Sequence, residues 1–202
     1  MNDINTAAAN LEKHNFTAKV CNTSAEAVDL ALELIGTGSA GIGGSVTVKQ
    51  LGLYDKLAAQ GNEVHWHWAA EKEQKGTERR KALTTDFYLC SANALTESGM
   101  ILNIDGTGNR VAATVFGPKN IIMIAGRNKI VDSIEDGLAR IRRECCPANA
   151  RRLNLRTPCA LTGECTDCSS PDRMCNVFTV YERKPKGFEN FFVILVNEDL
   201  GL

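Results

Sequence analysis

Six of the eight cysteines fall between Cys145 and Cys175, and four of them are spaced Cys159-x5-Cys165-x2-Cys168-x6-Cys175. A Cys-x-x-Cys pair lets two thiolates reach one ion from a tight turn, and the flanking Cys159 and Cys175 supply two more ligands. Gly163, Ser169, Ser170, Pro171 and Asp172 between them are turn formers, so the chain can wrap around a point. The segment has few apolar residues to order it, and a bound ion would contribute the missing folding energy. Four thiolates around a divalent ion leave excess negative charge, and Arg151, Arg152, Arg156 and Arg173 lie nearby to offset it. Zinc accepts such a tetrahedral site, and so does an iron–sulfur cluster. The spacing is not the ferredoxin run and does not choose between them. The metal reading expects four sulfurs converging on one point, each about 2.3 Å from the ion. The plainer reading is unligated thiols, or disulfides formed in air. Cys145-Cys146 reads as a helix end, where one thiol could serve as a substitute ligand. Cys21 and Cys90 stand alone in apolar segments, as small buried hydrophobes do.

Two further segments could bind or transform a ligand. Gly41-Ile42-Gly43-Gly44-Ser45 falls at a strand-to-helix turn, where backbone N–H groups can hold an anion. Gly43, Gly44, Ser45 and Thr47 are the candidate anion-binding residues, although glycines there can also serve backbone shape alone. No dinucleotide fingerprint and no phosphate-loop lysine accompany them. Ser91 to Gly99 follows an apolar strand, the place where open α/β sheets bind ligands. Glu97 is its carboxylate and the candidate catalytic group; a solvated loop glutamate is the competing reading. If both turns follow parallel strands, Glu97 and the Gly43-Gly44-Ser45 turn should line one cleft. His65-Trp66-His67-Trp68 alternates, which places exposed imidazoles on one strand face and a core indole pair on the other. Two histidines at that spacing could grip a metal, but no third ligand stands near them in sequence.

Elements that would position these residues can be read from periodicity. Asn2-Asp3 caps a helix carrying Ile4, Ala7, Ala8 and Leu11; Phe16 to Cys21 is a strand. Thr23-x-x-Glu26 is a capping box, and Gly36 ends the helix it starts. A short strand from Ser39 to Ile42 leads through the glycine turn into one helix ending at Gly61. Glu63 to Trp68 is a strand, Glu71 to Leu83 a polar helix, and Asp86 to Cys90 a central strand. Met100 to Ile104 and Val111 to Val115 flank Asp105-Gly106-Thr107-Gly108-Asn109 and predict a β-hairpin. Ile121 to Ala125 is a fully apolar strand, and Ser133 starts a helix. Regular pattern breaks after Pro147 for about thirty residues, a length that favours metal-ordered or functional structure. Val177 to Tyr181 and Phe191 to Val196 read as two closing strands. The predicted class is α/β: a mostly parallel sheet flanked by helices, with a β-hairpin and a C-terminal cysteine-rich segment.

Composition narrows the function classes. At 202 residues, 44% apolar and 23% charged, the chain suits one globular domain. A formal net charge of -1 gives no broad basic field, so nucleic-acid binding has no support. The opening residues lack the basic and apolar regions of a secretory signal, and Phe191 to Val196 is too short to cross a bilayer. The expectation is a cytoplasmic protein without membrane insertion, in which clustered cysteines are metal ligands or reactive thiols.

Gly-Gly-Ser-Val-Thr at 43–47, Asn-Ala-Leu-Thr-Glu-Ser-Gly-Met-Ile at 93–101 and Phe-Gly-Pro-Lys-Asn-Ile-Ile-Met-Ile-Ala-Gly at 116–126 resemble the LUD (lactate-utilisation, formerly DUF162) family. The closing Val196 to Leu202 fits the same pattern. The resemblance covers roughly Ile4 to Ala148; the chain is expected to be one domain over 1–202, with 145–176, the cysteine-rich segment whose spacing reads as metal-binding, outside the core family pattern. The resemblance implies a fold like ribose-5-phosphate isomerase, glucosamine-6-phosphate deaminase and the CoA transferases. It also implies a part in oxidising L-lactate to pyruvate beside redox partner proteins. No flavin or nicotinamide site is legible, so a complete lactate dehydrogenase in one chain is not expected. Two other readings stay open. CoA transferases use a glutamate near a Ser-Glu-Asn-Gly-type segment as nucleophile, and Glu97-Ser98-Gly99 is loosely similar, with a CoA thioester or sugar phosphate as substrate class. The third is a non-enzymatic metal or redox sensor acting through a partner. A small anionic ligand and a homo-oligomer are compatible with all three.

Overall fold

The computed structural model describes residues 3–202, so Asn2 lies outside the described residues. Helix α1 (Ile4–Lys13) starts at Asp3, whose carboxylate accepts the backbone N–H groups of Asn5 and Thr6. Strand β1 (Thr17–Cys21) follows, then α2 (Ser24–Ile35), with the Thr23 hydroxyl accepting the Glu26 N–H as the capping pattern requires. Next come β2 (Ala40–Ile42), α3 (Val46–Gln50), α4 (Leu53–Gln60) and β3 (Val64–Trp66). The single helix expected up to Gly61 is two, because Gly52 takes a left-handed conformation between them. After α5 (Lys75–Lys81) and β4 (Phe87–Cys90) the chain makes β5 (Ala94–Thr96) and β6 (Ile101–Asp105). Helix α6 (Asn109–Phe116), β7 (Asn120–Gly126), β8 (Ile130–Val131) and α7 (Ile134–Arg140) succeed them. Finally α8 (Cys146–Arg152), α9 (Pro158–Thr162), β9 (Val177–Tyr181) and β10 (Asn190–Val196) complete the order.

Two sheets result. The first has six strands in the order β1-β10-β7-β4-β2-β3, every pair parallel. Period-2 alternation splits its central strands between two cores. Ile121, Met123, Val193 and Leu195 face α1 and the second sheet, while Ile122, Ile124, Ile194 and Val196 face α2 and α4. Burial on both faces is why these strands read as continuous apolar runs. The second sheet has the order β8-β5-β6-β9 and is mixed. Its far face packs on Ile141, Cys145 and Cys146.

Four expectations are corrected. The hairpin lies one element earlier than read: β5 and β6 pair antiparallel around Thr96 to Gly99. Val111 to Val115 belongs to helix α6, because the Asp105 carboxylate accepts the N–H groups of Gly108, Arg110 and Val111 and caps it. Regular structure does not stop at Pro147. A π-helical turn, Ile141–Cys145, runs α7 into α8 without a break, and Pro147, which has no N–H to give the preceding turn, follows directly on that widened turn. Last, β3 ends at Trp66, so His67 leaves the strand and is buried at 5% exposure rather than lying on an exposed face.

Candidate functional site

The carboxyl ends of four adjacent parallel strands, β3, β2, β4 and β7, open onto one cavity of about 230 Å³. After β2 the chain turns through Gly43 and Gly44 into α3, where the Ser45 hydroxyl accepts the Val48 N–H at 3.2 Å. Gly43 is required there: a Cβ would meet the Tyr88 hydroxyl at 2.9 Å. After β4 come Ser91, Ala92 and half-buried Asn93. After β7 a single 3-10 turn, Arg127–Lys129, brings in Lys129. From β3 come His67 and Trp68.

Lys129 is 3% exposed, and its Nζ donates to Thr47 Oγ1 at 3.0 Å, Ser91 Oγ at 2.8 Å and Ala92 O at 3.1 Å. Burial pulls its pKa down to about 7, and the neighbouring Arg140 and Arg110 charges add to the fall while Cys145 opposes it. Arg110 reaches across the floor, donating to Ser91 O at 3.1 Å, Asn93 Oδ1 at 2.8 Å and Ile104 O. Its Nε is 3.8 Å from the Asp105 carboxylate. The Arg152 guanidinium lies 4.5 Å from the Trp68 ring centroid and donates to Asn149 Oδ1. His67 is held neutral: burial first, then the Arg79 and Lys75 charges, push its pKa down to about 4. Among the described residues His67 Nδ1 and Arg79 Nε are buried without a hydrogen-bond partner.

Four cationic side chains line the cavity, Arg79, Arg110, Lys129 and Arg152, against one acidic side chain, Asp105; Leu202 lines it too, with its carbonyl oxygen accepting from Arg140. Asp105 is already engaged in capping α6. A concave, water-accessible site with that imbalance attracts anions. Of the sequence-predicted ligand residues, Gly44, Ser45 and Thr47 line it; Gly43 does not, and its carbonyl accepts from Trp66 Nε1. Glu97 does not. It sits at the β5–β6 turn, where its carboxylate accepts the Asp3 N–H at 3.1 Å and its carbonyl accepts Asn10 Nδ2 at 2.7 Å. The cleft shared by Glu97 and the glycine turn is therefore not formed.

The cysteine segment abuts the same cavity. Cys145, Cys146 and Met174 stand on its wall. Gly106 is pressed against the segment, with the place of a Cβ only 2.8 Å from Met174 O, and Asn176 bonds back to Asp105 O and Gly106 O. Within the segment Arg173 donates to Cys168 O at 2.6 Å, Cys175 O at 3.1 Å and Asp167 Oδ1 at 2.8 Å, clamping the two cysteines' backbones. Of the arginines expected to offset thiolates, Arg173 does lie against the cysteines, whereas Arg152 turns to Trp68. All eight cysteines carry free thiols, and Cys159, Cys165, Cys168 and Cys175 are half-buried. Cys146 is pushed up to about 12 by burial and by the nearby Cys175, Cys145, Cys165 and Cys159. The donor chemistry suits a thiophilic ion or cluster. The arrangement is looser than a closed site: among the described residues no three His, Cys, Asp or Glu side chains are grouped as a metal would need.

The sequence matches the LUD domain over residues 4–196. The chain belongs to the LUD-domain family. A DUF162 family protein from Deinococcus radiodurans, solved at 1.70 Å, is structurally similar at TM-score 0.57 and 12% identity, covering 96% of this chain and 95% of that one. At that identity the likeness establishes the fold alone. No curated protein matches the sequence. Within this LUD domain, sequence reasoning missed Lys129, Arg110 and Arg79, and it gave His67 and Arg152 other roles than lining this cavity. Lys129 had a usable signal, since Gly126-Arg127-Asn128-Lys129 ends an apolar strand at the sheet edge where ligands bind. Arg79 had none, because a cation on a polar helix looks solvated. No helix is long and apolar enough to cross a membrane among the described residues.

Proposed function

We propose that this LUD-domain chain is the acid-binding, metal-carrying component of a lactate-utilisation or closely related hydroxy-acid redox system, working with redox partner proteins. The observation that carries the reading is the cavity itself: cations outnumber carboxylates, and the cysteine segment forms part of its wall. In this reading Lys129, Thr47 and Ser91 hold a carboxylate, and neutral His67 faces the remainder of the acid. Cys159, Cys165, Cys168 and Cys175 hold the metal. An iron–sulfur cluster there would carry electrons, whereas zinc would order the segment. Family membership supports the lactate association, and the thiol donor set supports the metal.

The test is anaerobic purification followed by elemental analysis, visible absorbance and calorimetric titration with 2-hydroxy and 2-oxo acids. Broad absorbance with bound iron, together with binding of an acid that Lys129→Met abolishes, is the expected outcome. Bound zinc without colour would leave an ordered acid-binding protein and remove the electron-carrying role. Protein kept reduced, never exposed to chelator and still free of metal would remove the metal altogether.

A further inference from the structure

We infer that the cavity selects a small organic dianion, two acidic groups on one short skeleton, over a monocarboxylate such as lactate. The inference rests on the reading of the cavity as an acid site and names the class of acid. Its ground is the bookkeeping of buried charge. A charge withdrawn from water is stable when paired, and an unpaired one demands a partner. Of the four lining cations only Arg110 has a carboxylate near it, Asp105. Among the described residues Arg79, Lys129 and Arg152 have none within ion-pair distance; Lys129 is buried and Arg79 half-buried with a buried Nε, while Arg152 is exposed and adds positive field at the rim rather than an unmet buried charge.

These three cations fall into two sets. Lys129 lies with Thr47 and Ser91, its three donors directed at neutral oxygens. Arg152 lies over Trp68, whose ring neighbours His67 at 6.1 Å between centroids, and Arg79 acts on the same His67. His67 is more than nine-tenths buried, its Nδ1 has no partner among the described residues, and Arg79 Nε is orphaned beside it. A single carboxylate at Lys129 would leave those groups unpaired. A second acidic group at the Arg79–His67–Arg152 end would answer them. The cavity, at about 230 Å³, falls just under the ~300 Å³ lower bound of drug-sized ligand sites, which favours a short skeleton. Two sources of the second group share this chemistry, a carboxylate and a phosphoryl group.

The experiment is calorimetric titration of the full chain, at fixed low ionic strength, with L-lactate, L-malate, 3-phosphoglycerate and inorganic phosphate. L-malate or 3-phosphoglycerate, or both, should bind at least about tenfold more tightly than L-lactate, and whichever wins identifies the second group. Arg79→Gln should reduce affinity for the winning dianion about tenfold and leave lactate nearly unchanged; Arg79→Lys should recover part of the loss. Lactate binding as tightly as either dianion would overturn the inference while leaving the acid-binding reading standing. Equal losses for lactate and dianion in Arg79→Gln would do the same. Inorganic phosphate matching the organic dianions would overturn the claim of a skeleton spanning two ends. Binding of no acid at all by the wild-type chain would remove the acid-binding reading and this inference together.

Discussion

Strands β7 and β10 and the segment from Leu153 to Asn176 are ordered by opposite means. In the strand pair, Ile121 through Ala125 and Val193 through Val196 are wholly buried, and seven register positions tie them together. Hydrophobic burial on two faces holds this pair without help. The cysteine segment offers instead partly exposed thiols, one short helix and two ion pairs, Arg156–Asp172 at 3.5 Å and Arg173–Asp167 at 2.8 Å. Pairs so exposed add little. The lesson is that one fold can hold its cavity floor by burial while burial contributes little to the wall beside it.

The contrast can be broken most forcefully at the sheet. Leu195→Ala should cost about 3 kcal/mol by cavity creation, seen as a lowered denaturant midpoint, with equal loss of structure in both regions. Should the cysteine segment survive that loss, the two regions would be independent folding units. Next in size, if the segment holds the proposed metal, Cys165→Ser or Cys168→Ser should release it and speed amide exchange from 158 to 176 while leaving exchange in β7 and β10 unchanged. Acceleration throughout the sheet would show that the segment supports the core.

A smaller effect comes from Lys129. Its folded pKa of about 7 lies below its ordinary 10.5, so above pH 7 the unfolded chain retains a proton that the folded chain has shed. Stability without ligand should therefore climb between pH 7 and 9 more steeply in the wild-type chain than in Lys129→Met. The burial penalty is full below pH 7 and is relieved as pH rises. Denaturation at several pH values checks this, and parallel slopes would refute it. Above pH 9 the thiols, ordinary value 9.0, begin to act in the opposite sense. Smallest of all, Arg156→Ala should shift stability by no more than about 0.5 kcal/mol, as exposed substitutions do.

What the sequence disclosed follows from where its signals are local. The parallel sheet was legible because βα alternation and apolar runs such as Ile121 to Ala125 are signals within a few residues. Ser45 and Thr47 were legible for the same reason, as residues of a strand-to-helix turn. The helix at Asn109–Phe116 was not, since Asp-Gly-Thr-Gly-Asn serves a hairpin turn and a helix cap equally well, and only the Asp105 carboxylate's partners decide. The cationic half of the cavity was hidden because Arg79, Arg110, Lys129 and Arg152 come from four separate elements. Their meeting depends on tertiary contacts. Glu97 misled for the complementary reason: its neighbours in sequence suit a loop beyond a strand end, but β5 carries it away from the cavity and onto α1.

The position of β10 has a consequence for how this protein is made. It is the last of the ten strands to leave the ribosome, yet it lies second in the sheet, bonded along its length to β1 on one side and β7 on the other. Until residue 196 has emerged, β1 has no neighbour and the apolar edge of β7 stands open. Such an edge invites pairing with the wrong chain. The nascent polypeptide thus carries an unfinished, adhesive sheet until β10 is made, and chaperone dependence should track the time taken to translate from β7 to β10.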